Sequence, residues 1–169
     1  MCESVLQFIT RRRSIREFTG DPVDRSQLEV ALQAAMAAPS ARNSRPWEFV
    51  VVTDRERIRS LCTAHPHAGF GVDAGAVVLP VGRREGYDWF DQDMAAATQN
   101  FLLAVANLGL GATWCGMTPK LQDAIRPLVG LPEAMTAFAL IPVGVPAQRR
   151  PARTQYEPER VHWEQYRCA

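Results

Sequence analysis

Arg12, Arg13 and Ser14 stand side by side, with Arg11 before them and Arg16 two residues beyond Ser14, in the stretch RRRSIR. Arginine offers a planar fork of N–H donors that fits a phosphate, and a serine hydroxyl adds a further donor. Arg16 is far enough along to serve a second negative locus on the same ligand. The cluster equally suits a helix C-terminus, where cations complement the dipole and face water. From these residues alone both readings stand.

Two other stretches carry the same kind of ambiguity. APSARNSRPW, Ala38 to Trp47, is rich in turn formers with free donors and acceptors, and the Asn43 amide could bond a planar heterocycle. It also reads as a plain loop in which Pro46 and Trp47 pack at a strand entrance. NLGLGATWCGM, Asn107 to Met117, holds Gly109, Gly111 and Gly116, which let a backbone approach a ligand closely. Its glycine spacing is not the dinucleotide fingerprint, and it follows a helix where that fingerprint opens one. It also serves as a helix cap that feeds a strand.

Other chemistries find less support. Cys62, His65 and His67 form C-x-x-H-x-H, which zinc favours, but a fourth ligand is missing. No G-x-S-x-G elbow marks a serine hydrolase. The arginines outside the cluster are scattered and matched by acids, with no nucleic-acid-binding signature. With 19 basic and 18 acidic residues the net charge is +1, which gives no general pull toward nucleic acid or anionic membrane. Cys2, Cys62, Cys115 and Cys168 form no C-x-x-C pair and no disulfide framework. No signal-peptide pattern or membrane-length apolar run is seen, so a reducing cytoplasmic setting is expected.

These stretches need elements to hold them. A length of 169 residues with 47% hydrophobic residues predicts one domain with a sizeable core, residues 1–169. SVLQFIT predicts a helix capped by Ser4 and Gln7, with Val5, Phe8 and Ile9 on one face, that delivers the arginines. DRSQLEVALQAAMAA predicts a second, with Asp24 and Gln27 as its capping box and Leu28, Ala31, Leu32, Ala35 and Met36 as its stripe, ended by Pro39. EFVVVT (48–53) is β-branched and predicts a strand; DRERIRSLCTA a capped helix; AGAVVLPVG a strand ending at Gly82. AAATQNFLLAVANLGLG predicts a long helix, buried on nearly every face and closed by Gly109. ATWC predicts a short strand, TPKLQDAIRPLVG a helix with Pro119 in its first turn, and MTAFALIPVG a strand. The tail beyond Val145 holds Tyr156, Trp163 and Tyr166 and is too aromatic to be a disordered end. The segments do not alternate cleanly, so the fold class is α+β.

Taken in order, R-R-S-I-R, then P-S-x-x-N-x-x-P-W, then an apolar helix with QN-x-LLA, then G-L-G-x-x-W-x-G, resemble the nitroreductase family of FMN-dependent oxidoreductases. The resemblance runs from about residue 5 to the tail, where TQYEPERVHW is similar to the closing segment of small members. It implies a central mixed, mostly antiparallel sheet flanked by helices, and a homodimer with FMN at the interface. It also implies that the long helix lies at that interface and that the C-terminal segment extends onto the partner. Arg12, Arg13 and Ser14 match the grip on the phosphate and ribityl chain, and Arg16 the cation beside flavin N1 and O2. Pro39, Ser40 and Asn43 match the loop given by the second chain. Cys115 and Gly116 match the place where a backbone N–H meets flavin N5. Arg153 matches the C-terminal arginine that returns to the phosphate, with Arg150 as a helper.

The implied activity is ping-pong hydride transfer from NADH or NADPH, through flavin N5, to a small acceptor such as a nitroaromatic or quinone. No side chain is expected to act as essential acid or base, because the flavin carries the chemistry. Cys115 has no neighbouring base motif, so its backbone and not its thiol is expected to matter. Reductive dehalogenation and flavin breakdown share the fold and remain alternatives. Arg45 stands where the family commonly has Gln. The middle of the chain is short, leaving His67, Tyr87 or Trp89 as candidates to roof the flavin.

Overall fold

The structure is a computed structural model that describes residues 4–166; Cys2 and Cys168 lie outside them. Helix α1 (Val5–Arg11) begins as its sequence predicts: the Gln7 N–H donates to the Ser4 hydroxyl at 3.2 Å, and the Ser4 N–H to the Gln7 side chain at 2.9 Å. Helix α2 (Arg25–Met36) departs from expectation. Asp24 is its N-cap, yet no capping box forms, because the Gln27 N–H is taken by the main-chain carbonyl of Asp24 at 3.1 Å. Leu28, Ala31 and Ala35 are buried, while Met36, at the helix end, turns to solvent.

Strand β1 (Glu48–Val52) leads to helix α3 (Arg55–Ala64), capped by the Asp54 carboxylate, which accepts from the Arg57 N–H at 3.0 Å. Strand β2 (Ala76–Gly82) is buried along its whole length, as a central strand with an unbroken apolar run should be. Helix α4 (Phe90–Asn107) is the long apolar helix. Its burial is less complete than its composition suggests. Ala95, Ala96, Leu103 and Ala106 are only half-buried, and Gln92 and Gln99 beside them are exposed, so one stripe stays uncovered in the single chain.

The strand expected at 112–115 is instead two short ones, β3 (Gly111–Ala112) and β4 (Cys115–Gly116), on either side of Thr113 and Trp114. Helix α5 (Pro119–Val129) carries Pro119 in its first turn and ends at Gly130, whose φ of 63° is the left-handed conformation that glycine tolerates. The expected strand at 135–144 is divided into β5 (Thr136–Ala137) and β6 (Ala139–Gly144). Between them Phe138 donates its N–H to Pro80 O at 2.8 Å.

The sheet order is β1-β2-β6-β3, with β4 on β6 and β5 on β2, and every pair is antiparallel. The parallel element is a single bridge from Ser14 to Ala112. Side chains of β2 and β6 alternate between two cores, as pleated strands must. Ala76, Val78, Ile141 and Val143 face α2 and α4 with Phe101 and Val105. Val77, Leu79 and Leu140 face α3 and α5 with Ile58, Leu61 and Ile125. The architecture is therefore α+β, an antiparallel sheet flanked by helices on both faces. Among the described residues no helix is long and apolar enough to cross a membrane.

Gly82 joins the end of β2 to the 38–47 loop: a Cβ there would lie 2.4 Å from Pro46 O and 3.0 Å from the Phe90 ring. A backbone oxygen cannot swing aside. Gly82→Ala is expected to destabilise the chain by about 1–3 kcal/mol, read as a lower urea midpoint with an unchanged slope.

Candidate functional site

The arginine stretch lies along the β3–β4 segment, so two of the three stretches come together. Ile15 N–H donates to Ala112 O at 3.1 Å, and the Thr113 hydroxyl donates to Ile15 O at 2.6 Å. Gly111 permits this approach, since a Cβ there would sit 2.7 Å from Ile15. Ser14 forms the bridge to Ala112. Arg16 extends past Phe70, its guanidinium carbon 5.7 Å from the ring centroid, and its charge is felt at the Cys115 thiol.

The chain's C-terminal region returns to the same place. Arg153 N–H donates to Thr10 O at 3.2 Å, and an Arg13 guanidinium N–H donates to Pro151 O. Arg12 is half-buried, and its pKa is lowered by burial and then by the like charges of Arg13 and Arg153. Among the described residues none of Arg12, Arg13, Arg16 and Arg153 has an ion-pair partner; the pairs are Arg25–Glu29, Arg84–Asp91 and Arg160–Glu157. Three guanidinium groups thus crowd without a carboxylate. Arg150 is exposed and lines a neighbouring cleft of about 390 Å³ with Arg11, Arg13 and Arg149.

The loop with Pro39, Ser40 and Asn43 is elsewhere, seated on the start of α4. Arg42, Asn43 and Arg45 have φ of 54°, 55° and 47°. A left-handed conformation is unfavourable for non-glycine residues, so three in four positions mean that the surroundings hold the loop. The holder is Asp93, buried in the first turn of α4, whose carboxylate accepts the Ala41 N–H at 3.2 and 3.1 Å and the Tyr87 hydroxyl. Tyr87 also contacts the Ser44 hydroxyl, and the Ser40 hydroxyl accepts the Arg45 N–H at 3.0 Å. Partial burial, and then the hydrogen bond to Asp93, raise the Tyr87 phenol above its ordinary pKa, so it stays a donor. Among the described residues no hydrogen bond joins this loop to the arginine stretch.

Gly116 is exposed, has no positive φ, and a Cβ added there would meet no atom within 4 Å. Nothing in this chain requires a glycine at that point; the bare backbone is left open to the outside. It borders a cleft of about 610 Å³ whose walls include Trp114, Met117, Phe138 and Arg126, with the Trp114 and Phe138 rings 5.4 Å apart. Of the expected roof residues, Tyr87 belongs to the Asp93 network and Trp89 is exposed. His67 is tied to Cys115, whose thiol donates to His67 O at 3.7 Å. His65 is buried with both ring nitrogens in hydrogen bonds, to Gly116 O and to His67 N–H, and no metal-ligand cluster of three occurs among the described residues.

The sequence reading missed Asp93 and the bond from His65 to Gly116. An acidic residue in the first turn of a helix expected to be buried was the available sign for Asp93; nothing local pointed to Gly116 as the partner of His65, which is 51 residues away.

Removing the Asp93 carboxylate leaves the Ala41 N–H without its acceptor. Asp93→Ala is expected to cost about 1–3 kcal/mol and to speed hydrogen exchange at the Ala41 amide. Burial raises the Cys115 thiol to about 11 and Cys62 to about 12. At pH 8 a thiol with a pKa near 11 is ionised to only about one part in a thousand. Peptide mapping after iodoacetamide treatment of the native protein at pH 8 is expected to find both unmodified, with alkylation of both once the chain is unfolded.

The nitroreductase family profile matches residues 9–65 and 67–145. A protein of Methanothermobacter thermautotrophicus, provisionally named NADH dehydrogenase/NAD(P)H nitroreductase, is 38% identical over 96% of this chain and 87% of its own. A Bacteroides thetaiotaomicron crystal structure with the same provisional name superposes with a TM-score of 0.92 at 33% identity, covering 98% of this chain and 100% of that one. A Desulfovibrio desulfuricans structure solved in complex with FMN gives a TM-score of 0.85 at 31% identity, covering 99% of this chain and 100% of that one. A crowded cluster of mutually repelling arginines, a strained loop and an open glycine backbone on an antiparallel α+β frame thus accompany likeness over the whole chain, which belongs to the nitroreductase family.

Proposed function

We propose that this chain is an FMN-dependent oxidoreductase that moves hydride from NADH or NADPH to a small acceptor, a nitroaromatic, quinone or related compound, in a ping-pong cycle. Family membership and the FMN complex of a relative support the class. The observation that carries the reading to these residues is the arginine cluster. Arg12, Arg13 and Arg153 repel one another and lack carboxylate partners among the described residues, which is the donor set a phosphate monoester satisfies. The residues present therefore fit FMN.

Arg12, Arg13, Ser14 and Arg153 would hold the phosphate and ribityl chain, with Arg150 at the margin. Arg16 would set a cation beside the pyrimidine edge. The main chain at Cys115–Gly116, open because Gly116 has no side chain, would meet N5. Bound FMN supplies two-electron transfer between a nicotinamide donor and an acceptor, and an adjacent cation stabilises its reduced, anionic form. The cleft walled by Trp114 and Phe138 gives flat reactants an apolar surface beside Gly116. The Cys115 thiol, neutral and bonded to His67 O, takes no covalent part.

Residues 1–169 act as a single FMN-binding domain, paired as a homodimer. Pro39, Ser40 and Asn43 serve the partner's flavin, which agrees with their separation from the arginine stretch of their own chain. Val5 and Leu6 on α1, and Tyr156, Trp163 and Tyr166 in the tail, are 68–78% exposed. Their burial against a second copy, with the half-covered stripe of α4, gives the pair its apolar contact.

Purified protein supplied with FMN is expected to be yellow, to elute as a dimer, and to bleach anaerobically with NADH or NADPH. Colour should then return with a nitroaromatic or quinone; halogenated aromatics in the same panel would expose dehalogenation. Arg12→Ala together with Arg153→Ala should weaken FMN at least tenfold, and added salt should narrow the difference. A monomer that takes up no flavin would overturn the reading.

A further inference from the structure

His65 follows the last turn of α3 with an extended backbone (φ −97°, ψ 121°), and its ring is 2% exposed. Its Nδ1 accepts the His67 N–H at 3.2 Å. Nδ1 is therefore the bare nitrogen, and Nε2 carries the hydrogen that is donated to Gly116 O at 2.9 Å. The adjacent Cys115 thiol donates to His67 O, so the turn after α3 grips β4 at two successive residues. On its other edge β4 has only the short pairing of Cys115 with Leu140 and Gly116 with Ala139.

This grip matters because of what it holds. Gly116 is exposed and is the residue type with the widest backbone freedom. A trans peptide is planar, so fixing the Gly116 carbonyl fixes the Gly116–Met117 peptide, and with the Cys115 side held as well it removes the torsional freedom at Gly116 that would let the Cys115–Gly116 peptide and its N–H tilt. We infer that His65 is a positioning residue of the flavin site, acting through Gly116: its Nε2–H holds the main chain of β4 at the angle in which an N–H meets flavin N5. This rests on the FMN reading above. In oxidised flavin N5 is an acceptor and in reduced flavin it bears a hydrogen, so a well-held N–H favours the oxidised form. Loosening Gly116 raises the midpoint potential.

The test uses FMN-loaded protein and two variants. His65→Gln retains an amide donor of similar reach; His65→Leu removes the donor. The potential of His65→Leu should rise by about 30 mV, a tenfold change for a two-electron couple, while His65→Gln stays at the wild-type value. Equal shifts in both variants, or none in either, would overturn the inference. If His65→Leu does not fold, the wild-type imidazole decides it by nitrogen NMR: an Nε2–H tautomer supports the proposal, and an Nδ1–H or doubly protonated ring at neutral pH ends it. Failure of wild-type protein to bind FMN would instead strike the functional reading itself and is seen before any variant is made.

Discussion

Main-chain hydrogen bonds hold like charges together here, and most of the site follows from that. Ile15 and Thr113 lock the segment after the arginines onto β3, and Arg153 N–H on Thr10 O brings the far end of the polypeptide to the near end. The guanidinium groups carried by these segments gain nothing from proximity; burial and mutual repulsion lower the pKa of Arg12. Opposed charges close by would relieve this, yet the ion pairs seen among the described residues, Arg25–Glu29, Arg84–Asp91 and Arg160–Glu157, involve other arginines. The sheet and cores thus supply the free energy that keeps an electrostatically poor arrangement, which on the proposed reading a bound phosphate would relieve.

The 38–47 loop repeats this logic in torsional form. A residue in a sparsely populated backbone region costs on the order of 1–3 kcal/mol, and three occur between Arg42 and Arg45. Asp93 offsets this from a position that favours an anion, the first turn of α4, and collects two main-chain contacts and a phenol. The buried carboxylate is acceptable because its oxygens are occupied. Arg45 takes a left-handed φ of 47°, and its N–H bonds back to the Ser40 hydroxyl, so its main chain closes the loop while its side chain faces solvent.

What could be read in advance was what repeats locally. The Ser4–Gln7 and Asp54 caps, the apolar run of β2 and Pro119 at a helix start are short-range signals, and each has its counterpart in the structure. The Asp24–Gln27 box failed because a carbonyl of the same residue competes for the same N–H, a choice that sequence spacing does not register. The strand expected at 112–115 is divided into β3 and β4, and the Thr113 hydroxyl between them bonds Ile15 O, far away in sequence. His65 was visible only as one of three metal-type residues. Its role depends on Gly116 at the other side of a core, and Asp93 likewise acts on a loop 52 residues distant. Long-range polar bonds leave no periodic trace.

The arginine stretch and the 38–47 loop lie apart within one chain, which bears on assembly. The arginine stretch sits with β3 and β4, while the strained loop sits on the start of α4, and no hydrogen bond joins them among the described residues. On the proposed reading each is one wall of a different crevice. A two-fold axis solves this at once, since every copy then gives its loop and receives its partner's by the same operation. The surfaces that would meet are the ones the single chain leaves uncovered: the α4 stripe, Val5 and Leu6, and the tail aromatics. Fully burying a large apolar side chain contributes about 1.5–3 kcal/mol, set against the translational and rotational freedom lost on association, so burial of these groups together would be what favours the pair. Cofactor and partner are then linked ligands: each orders part of what the other must contact, and a change that weakens either one weakens both.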